Sequence, residues 1–316
     1  MIADAAGGFL KPLERLPAET RLVISRDRER LCEAAPEADV IFNAEFRDPT
    51  LLFDTFARAT RVRWVHNLAA GVEKILSREI IESSVPLTNG RGVFRRALGE
   101  WAVGAMLFFA YDLRRALRSQ GAGIWDRFEH EELHGKTLGI IGYGEIGRSV
   151  AEHARPFGMR ILALRRNPER AAGDVLVDAV YPPPQIDEMI AQCDYLAVTA
   201  PLTADTRGLV GSRQIAAMRP SAVIINVGRG PVIEEAALIE ALESNTIRGA
   251  ALDVFDVEPL PAGHPFYRLE NVLISAHGAD NLPDSRERGV EFFVENFERF
   301  ENNQPLQNVV DKSAGY

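Results

Sequence analysis

Short apolar runs bounded by turn residues recur along the chain, and between them apolar positions return at helical spacing. The runs at 21–25, 39–42, 63–66 and 86–89 predict four strands, with helices over 27–35 and 49–59 between them. The runs are contiguous rather than alternating, as expected of parallel strands covered on both faces. The first helix stops before Pro36, which cannot continue it. Residues 1–6 are a poor strand, broken at Gly7-Gly8. Over 96–118, Trp101, Ala105, Phe108, Phe109 and Leu113 share one helical face, predicting a single long amphipathic helix that ends in Gly121-Ala122-Gly123. Its aromatic stripe reads as core packing and Glu100 as a solvated or capping charge.

The alternation then resumes. Strands are expected at 138–141, 160–164, 194–198, 222–227, 249–254 and 272–275. Helices are expected at 149–157, 186–191, 212–218 and 234–243, the first ending at Gly158. Two blocks of strand–helix alternation separated by a long helix predict an α/β protein with two parallel sheets.

The run at 138–141 leads directly into Gly142-Tyr143-Gly144-Glu145-Ile146-Gly147, a G-x-G-x-x-G between a strand and a helix. Each glycine has a separate task there. Gly142 allows the tight turn, Gly144 the approach of a pyrophosphate, and Gly147 close packing of helix on strand. The helix N-terminus offers unbonded N–H groups and the positive end of its dipole. The predicted ligand is a dinucleotide. In NAD-binding folds an acidic residue about twenty positions beyond the motif accepts bonds from the ribose hydroxyls. Here Arg165 and Arg166 stand at that strand end. Two forked guanidiniums suit the 2′-phosphate of NADP, so NADP(H) is the expected cofactor, with NAD(H) possible.

Composition narrows the setting. The formal net charge of −9 argues against non-specific nucleic-acid binding, which needs a basic face. Cys32 and Cys193 fit no metal spacing and suggest a reducing, cytoplasmic location. The start lacks a basic stretch followed by an apolar core, so no signal peptide is expected, and the apolar run near 101–111 is too short to span a membrane. His130 and His134 lie four apart without a third ligand, so no metal site is expected; His66, near the loop after its strand, stays on a secondary list.

The remaining candidate residues fall where strands finish, which is where open α/β sheets place ligands. Ala200 and Pro201 with Thr206 follow the strand at 194–198, and Val227, Gly228 and Arg229 follow the next. Asp253, Glu258 and His277 follow the last two. On the glycine motif, Pro201-Leu202-Thr203 with Thr206, Asn226-Val227-Gly228-Arg229-Gly230, Asp253–Pro259 and Ser275-Ala276-His277, the chain resembles the D-isomer-specific 2-hydroxyacid dehydrogenases, from about Arg21 to Val310. Its missing acidic ribose anchor is similar to the glyoxylate/hydroxypyruvate reductases of that family.

The resemblance implies two Rossmann-like domains, the nucleotide-binding one (99–284) inserted in a discontinuous substrate domain (1–98 and 285–316), with the active site in the cleft. It also implies a homodimer, and it places the amides of Ala70 and Gly71 on the substrate carboxylate. Gly142, Tyr143, Gly144, Glu145, Ile146, Gly147, Arg165, Arg166, Ala200, Pro201, Thr206, Val227, Gly228 and Asp253 are the expected cofactor residues.

The chemistry agrees. Reduction of a 2-oxo acid needs a proton donor for the ketone oxygen and an anchor for the carboxylate. His277 titrates near neutrality and is the natural acid, while Glu258 would orient its ring and raise its pKa. Arg229 can pair with the carboxylate and polarise the ketone. Family members commonly carry Pro before this histidine, whereas Ala276 stands here. Glyoxylate, hydroxypyruvate, pyruvate and aryl-substituted oxo acids all stay open as substrates. So do two other roles: a dinucleotide-sensing, corepressor-like regulator, and an NAD-dependent oxidase of formate or phosphite.

Overall fold

The structure is a computed structural model that describes residues 1–316. The chain divides into two compact units, Met1–Phe94 with Leu282–Tyr316, and Arg95–Asn281. These seams lie a few residues before the expected 98/99 and 284/285. The long helix belongs to the second unit from its first residue, because Arg95 already pairs with Glu152 (3.4 Å) there.

The first unit begins with α1 (Arg28–Ala34), β1 (Val40–Asn43), α2 (Thr50–Arg58), β2 (Trp64–Asn67), α3 (Arg78–Glu82) and β3 (Leu87–Asn89). Its three strands form one parallel sheet in the order β1-β2-β3. The expected strand at 21–25 does not form. Instead Ile2, fully buried, bridges Ser25 on one side and Asn43 on the other. The helical spacing read over 96–118 also divides in two. Asp112 takes a left-handed conformation (φ 43°) and caps the following helix by accepting a hydrogen bond from Arg115 N at 3.3 Å. A helix cannot run through a left-handed residue.

The second unit therefore opens with α4 (Arg95–Ala110) and α5 (Leu113–Gly121), followed by β4 (Thr137–Ile141) and α6 (Glu145–Ala154). Then come β5 (Arg160–Leu164), β6 (Ala179–Tyr181), α7 (Ile186–Ile190), β7 (Tyr195–Val198) and α8 (Ser212–Ala216). The unit closes with β8 (Val223–Asn226), α9 (Glu235–Glu243), β9 (Gly249–Leu252) and β10 (Val272–Ile274). The seven strands are all parallel, in the order β10-β9-β8-β7-β4-β5-β6. This is the dinucleotide-fold order with one strand added at an edge. It reverses between β4 and β7, where such sheets open their ligand crevice. Phe109 is buried and Trp101 and Phe108 pack against the same core, so the aromatic stripe of α4 is packing.

The chain then returns to the first unit as α10 (Ser285–Glu301). Phe293 stacks between Phe42 (4.2 Å) and Trp64 (5.2 Å), closing one face of the small sheet. Val310 N donates to Leu87 O at 2.8 Å, tying the tail to β3.

Candidate active site

The glycine loop sits at the carboxyl end of β4, whose five residues are all buried. Gly142 has φ 90°, and a Cβ there would lie 2.5 Å from Ala200 Cα, so only glycine fits. A Cβ on Gly147 would lie 2.8 Å from Gly142 O, which explains the close seating of α6. At Gly144 the space is open, and this residue caps α6. The loop is tied from β7, since Thr199 Oγ1 donates to Gly142 O at 2.8 Å.

These features fit a dinucleotide: an open approach at Gly144, and first-turn amides of α6 that have no carbonyl four residues behind them. The structure assigns the residues of the motif unequally. Gly142 N and Tyr143 N both donate to Leu164 O (3.1 and 3.2 Å), so neither amide is left for a phosphate. The Tyr143 ring is buried and its hydroxyl donates to Asp174 at 3.0 Å. Tyr143 thus braces the loop from inside. The amides of Glu145, Ile146 and Gly147 remain at the helix start.

Around the same crevice, Ala200 and Pro201 follow β7, and Val227 and Gly228 follow β8. A Cβ on Gly228 would lie 2.8 Å from Ala200 O, so these two strand ends meet closely. Thr206 Oγ1 accepts from Thr203 N (2.8 Å) and donates to Pro201 O (2.6 Å), closing the turn beside them. Arg165 and Arg166 follow β5 directly. Arg165 is half-buried; Arg166 is exposed, with its guanidinium 3.6 Å from the exposed Asp205. Such an exposed pair contributes little, about 0–1 kcal/mol.

His277 lies in the loop after β10 and Glu258 in the loop after β9. His277 Nδ1 donates to Glu258 Oε2 at 2.7 Å, and Glu258 Oε1 accepts from Phe255 N at 3.0 Å. Both carboxylate oxygens are therefore oriented, and no hydrogen bond within the chain engages the ring's Nε2. The hydrogen bond to Glu258 raises the His277 pKa above the ordinary imidazole value; burial and the nearby Arg229 oppose it, while the charges of Glu258 and Asp253 add to it.

His277 itself is left-handed (φ 49°), a conformation that an L residue adopts at a cost. Asp253 holds it there. His277 N donates to Asp253 O at 2.8 Å. The carboxylate Oδ1 accepts from Ser275 Oγ (2.7 Å), Gly278 N (2.8 Å) and Ala279 N (3.0 Å), on either side of the histidine. Asp253, expected on the cofactor, is thus engaged as a clamp on the His277 loop. No local signal in the sequence marks that role, because its partners lie more than twenty residues away. Asp280, half-buried just after His277, has its pKa raised by burial against the opposing pull of His277.

Arg229 is half-buried at the end of β8, with Asn226 Nδ2 donating to its carbonyl at 3.0 Å and its own Nη1 donating to Gly228 O at 2.7 Å. A Cβ on the next residue, Gly230, would lie 2.1 Å from Phe255 C. Glycine there lets the Arg229 turn abut the segment that carries Glu258.

In the first unit, Ala70 and Gly71 follow β2 and are half-buried. His66, within β2, is fully buried; Thr88 Oγ1 lies 2.7 Å from Nδ1, and burial pushes its pKa down to about 3. It is a neutral core residue and no acid.

Comparison with known proteins agrees with this geometry. Residues 103–279, over half of the chain, match the model of the D-isomer specific 2-hydroxyacid dehydrogenase NAD binding domain. A D-3-phosphoglycerate dehydrogenase of Methanocaldococcus jannaschii is 32% identical over 96% of this chain, which spans only 57% of that longer protein. A glyoxylate reductase of Korarchaeum cryptofilum is 32% identical over 83% of this chain and 80% of its own. Among solved structures, an NADPH-dependent glyoxylate/hydroxypyruvate reductase from Sinorhizobium meliloti, in complex with NADP and sulfate, superposes with a TM-score of 0.81 at 26% identity, covering 98% of this chain and 96% of its own. With a parallel dinucleotide fold and a glycine loop shaped for it, matched over this length, the chain belongs to the D-isomer specific 2-hydroxyacid dehydrogenases, a family of NAD(P)-dependent oxidoreductases.

Proposed function

We propose that this protein reduces a small 2-oxo acid to the D-2-hydroxy acid and prefers NADPH. The observation that carries the reading is the His277–Glu258 pair at 2.7 Å, with the raised imidazole pKa that follows from it. A bound NADPH supplies the hydride. The protein's own groups do the rest. Arg229 pairs with the substrate carboxylate and polarises the ketone, and the Ala70 and Gly71 amides hold the same carboxylate. His277, oriented by Glu258 and with its pKa raised by that hydrogen bond, gives its Nε2 proton to the oxygen that becomes the hydroxyl.

The amides of Glu145, Ile146 and Gly147 would hold the pyrophosphate, with Ala200, Pro201, Thr206, Val227 and Gly228 lining the crevice. Arg165 and Arg166 would take the 2′-phosphate. The NADP complex of the similar reductase supports that preference. Asp253 keeps its place in the cofactor reading through the free side of its carboxylate, beside its clamp on the His277 loop.

The reading extends to assembly and location. A homodimer is supported by an exposed apolar stretch after and along α5, with Trp125 92% exposed and Ile124 and Leu117 above 60%. Two free cysteines support a reducing cytoplasm, and no helix is long and apolar enough to cross a membrane.

The test follows NADPH and NADH consumption with a panel of 2-oxo acids, for wild type and His277→Ala. NADPH-dependent turnover that falls by roughly 10²–10⁴ in the variant is the expected result. Turnover that survives the substitution would remove His277 as the acid. A preference for NADH would overturn the assignment of the two arginines alone.

A further inference from the structure

Each strand of the small sheet ends in asparagine, and the register sets Asn43, Asn67 and Asn89 side by side. All three are buried, none more than 3% exposed. Buried carboxamides must find partners for both ends. Asn43 Nδ2 donates to Asn67 Oδ1 at 2.9 Å, which turns the Asn67 NH₂ group toward the loop that follows β2. There it donates to Ala69 O (3.0 Å) and Gly71 O (3.1 Å). Asn89 Nδ2 reaches across from β3 to the carbonyl between them, Ala70 O, at 2.5 Å. Three successive carbonyls of one loop are thus held by two side chains from the end of the sheet, with Gly90 N also donating to Ala69 O at 3.2 Å.

In a trans peptide the N–H points opposite to the C=O of the same plane. Fixing Ala69 O and Ala70 O toward the sheet therefore turns the N–H groups of Ala70 and Gly71 away from it. Neither amide donates to an acceptor within the chain. A carbonyl that accepts a hydrogen bond also polarises its own peptide and strengthens the N–H on the other side. The result is a pair of adjacent, outward-facing, polarised donors, which is what a carboxylate requires.

We propose that Asn67 and Asn89 are positioning residues: by holding the carbonyls of Ala69 and Ala70 they set the peptide planes whose N–H groups, those of Ala70 and Gly71, receive the substrate carboxylate, while the bond to Gly71 O fixes the far end of the loop. This rests on the preceding reading that Ala70 and Gly71 bind that group. Asn43 acts one step further back, fixing the orientation of Asn67.

The test uses Asn67→Ala and Asn89→Ala in the full-length protein. The measurements are KM and kcat for the best oxo acid of the panel, inhibition by oxamate (a carboxylate that the enzyme cannot reduce), and the Kd for NADPH. In Asn89→Ala, KM and the oxamate inhibition constant rise together by about tenfold, with a smaller rise in Asn67→Ala, where Gly90 N still holds Ala69 O at 3.2 Å. The Kd for NADPH stays at the wild-type value.

A purely structural ladder would lower Tm and leave KM and oxamate binding unchanged, and that result overturns the proposal. If Asn67→Ala does not fold, Asn89→Ala decides on the same criterion. An Arg229→Leu control separates the two levels. Raised KM there beside wild-type KM in the asparagine variants sinks the ladder alone. A wild-type protein that reduces no 2-oxo acid sinks the underlying reading and the ladder with it.

Discussion

Replacing Glu258 by glutamine tests the central pair of the site with almost no change of shape. The carboxylate satisfies two donors at once, His277 Nδ1–H at 2.7 Å through one oxygen and Phe255 N–H at 3.0 Å through the other. Glutamine has a single oxygen, so one of those donors must face an NH₂ group. If the oxygen stays on Phe255, the NH₂ meets Nδ1 and the imidazolium is opposed by a donor. If it turns to the ring, the Phe255 amide loses its acceptor and the loop loosens.

A hydrogen bond to a charged group contributes about 1.5–3 kcal/mol. The His277 side chain is 49% exposed, so water competes for this bond. Discounted for solvent screening, about 1 kcal/mol remains, which corresponds to roughly fivefold in kcat/KM for reduction at neutral pH. The sign of the pH effect follows from the raised pKa, which comes first from the Glu258 hydrogen bond. Reduction needs the imidazolium, so kcat/KM holds at low pH and falls as pH rises through the raised pKa. In Glu258→Gln that fall moves to lower pH. In the oxidative direction, which needs neutral imidazole, the rise with pH moves the same way. The assay is a pH profile of kcat/KM in both directions. A variant whose profile overlays the wild type would refute the argument, even if its rate were lower throughout.

Two further outcomes are expected. Replacing Arg165 and Arg166 together by serine should raise the Kd for NADPH by roughly tenfold to a hundredfold, the loss of a charge-assisted bond, and leave that for NADH nearly unchanged; equal effects on both cofactors would place the arginines elsewhere. His66, whose pKa burial lowers to about 3, should show no ring titration by NMR between pH 5 and 8. The unfolded chain takes up that proton near the ordinary value of about 6.5, so His66 costs stability as pH falls from there toward 3, a window that denaturant titrations cover. A His66 resonance titrating near neutrality would contradict the packed environment.

Much of this protein is carried by local signals. The strands of the large sheet are covered on both faces, so each is a contiguous apolar run that can be read without knowing its neighbours. The glycine loop is equally local, since the turn at Gly142 and the seating of Gly147 need residue types at fixed short spacing. Arg165, Arg229, Glu258 and His277 stand out as candidates because they follow strand ends, where parallel sheets gather their ligands.

Most of what escaped was decided over long separations, the break at Asp112 being a local exception. The place of the run at 21–25 went to Ile2, because Ile2 pairs with Ser25 and Asn43 together, and no spacing within residues 1–6 encodes both partners. The helical pattern across 96–118 continued past Asp112, yet a single left-handed residue with its own cap divides it into α4 and α5. Tyr143 lies inside a cofactor motif, but its hydroxyl finds Asp174, and that contact turned it inward. Asp253 became the clamp on His277 only when β9 and β10 paired. The fold class and the glycine loop, with the candidate groups at the strand ends, are legible in the chain alone, because these depend on periodicity and on residue types at strand ends. The tertiary structure alone decided which oxygen of Glu258 meets His277, how Asp253 holds that loop, and which way the Ala70 and Gly71 amides face. Those are hydrogen bonds between residues far apart in the chain, and their geometry exists only after the strands have come together.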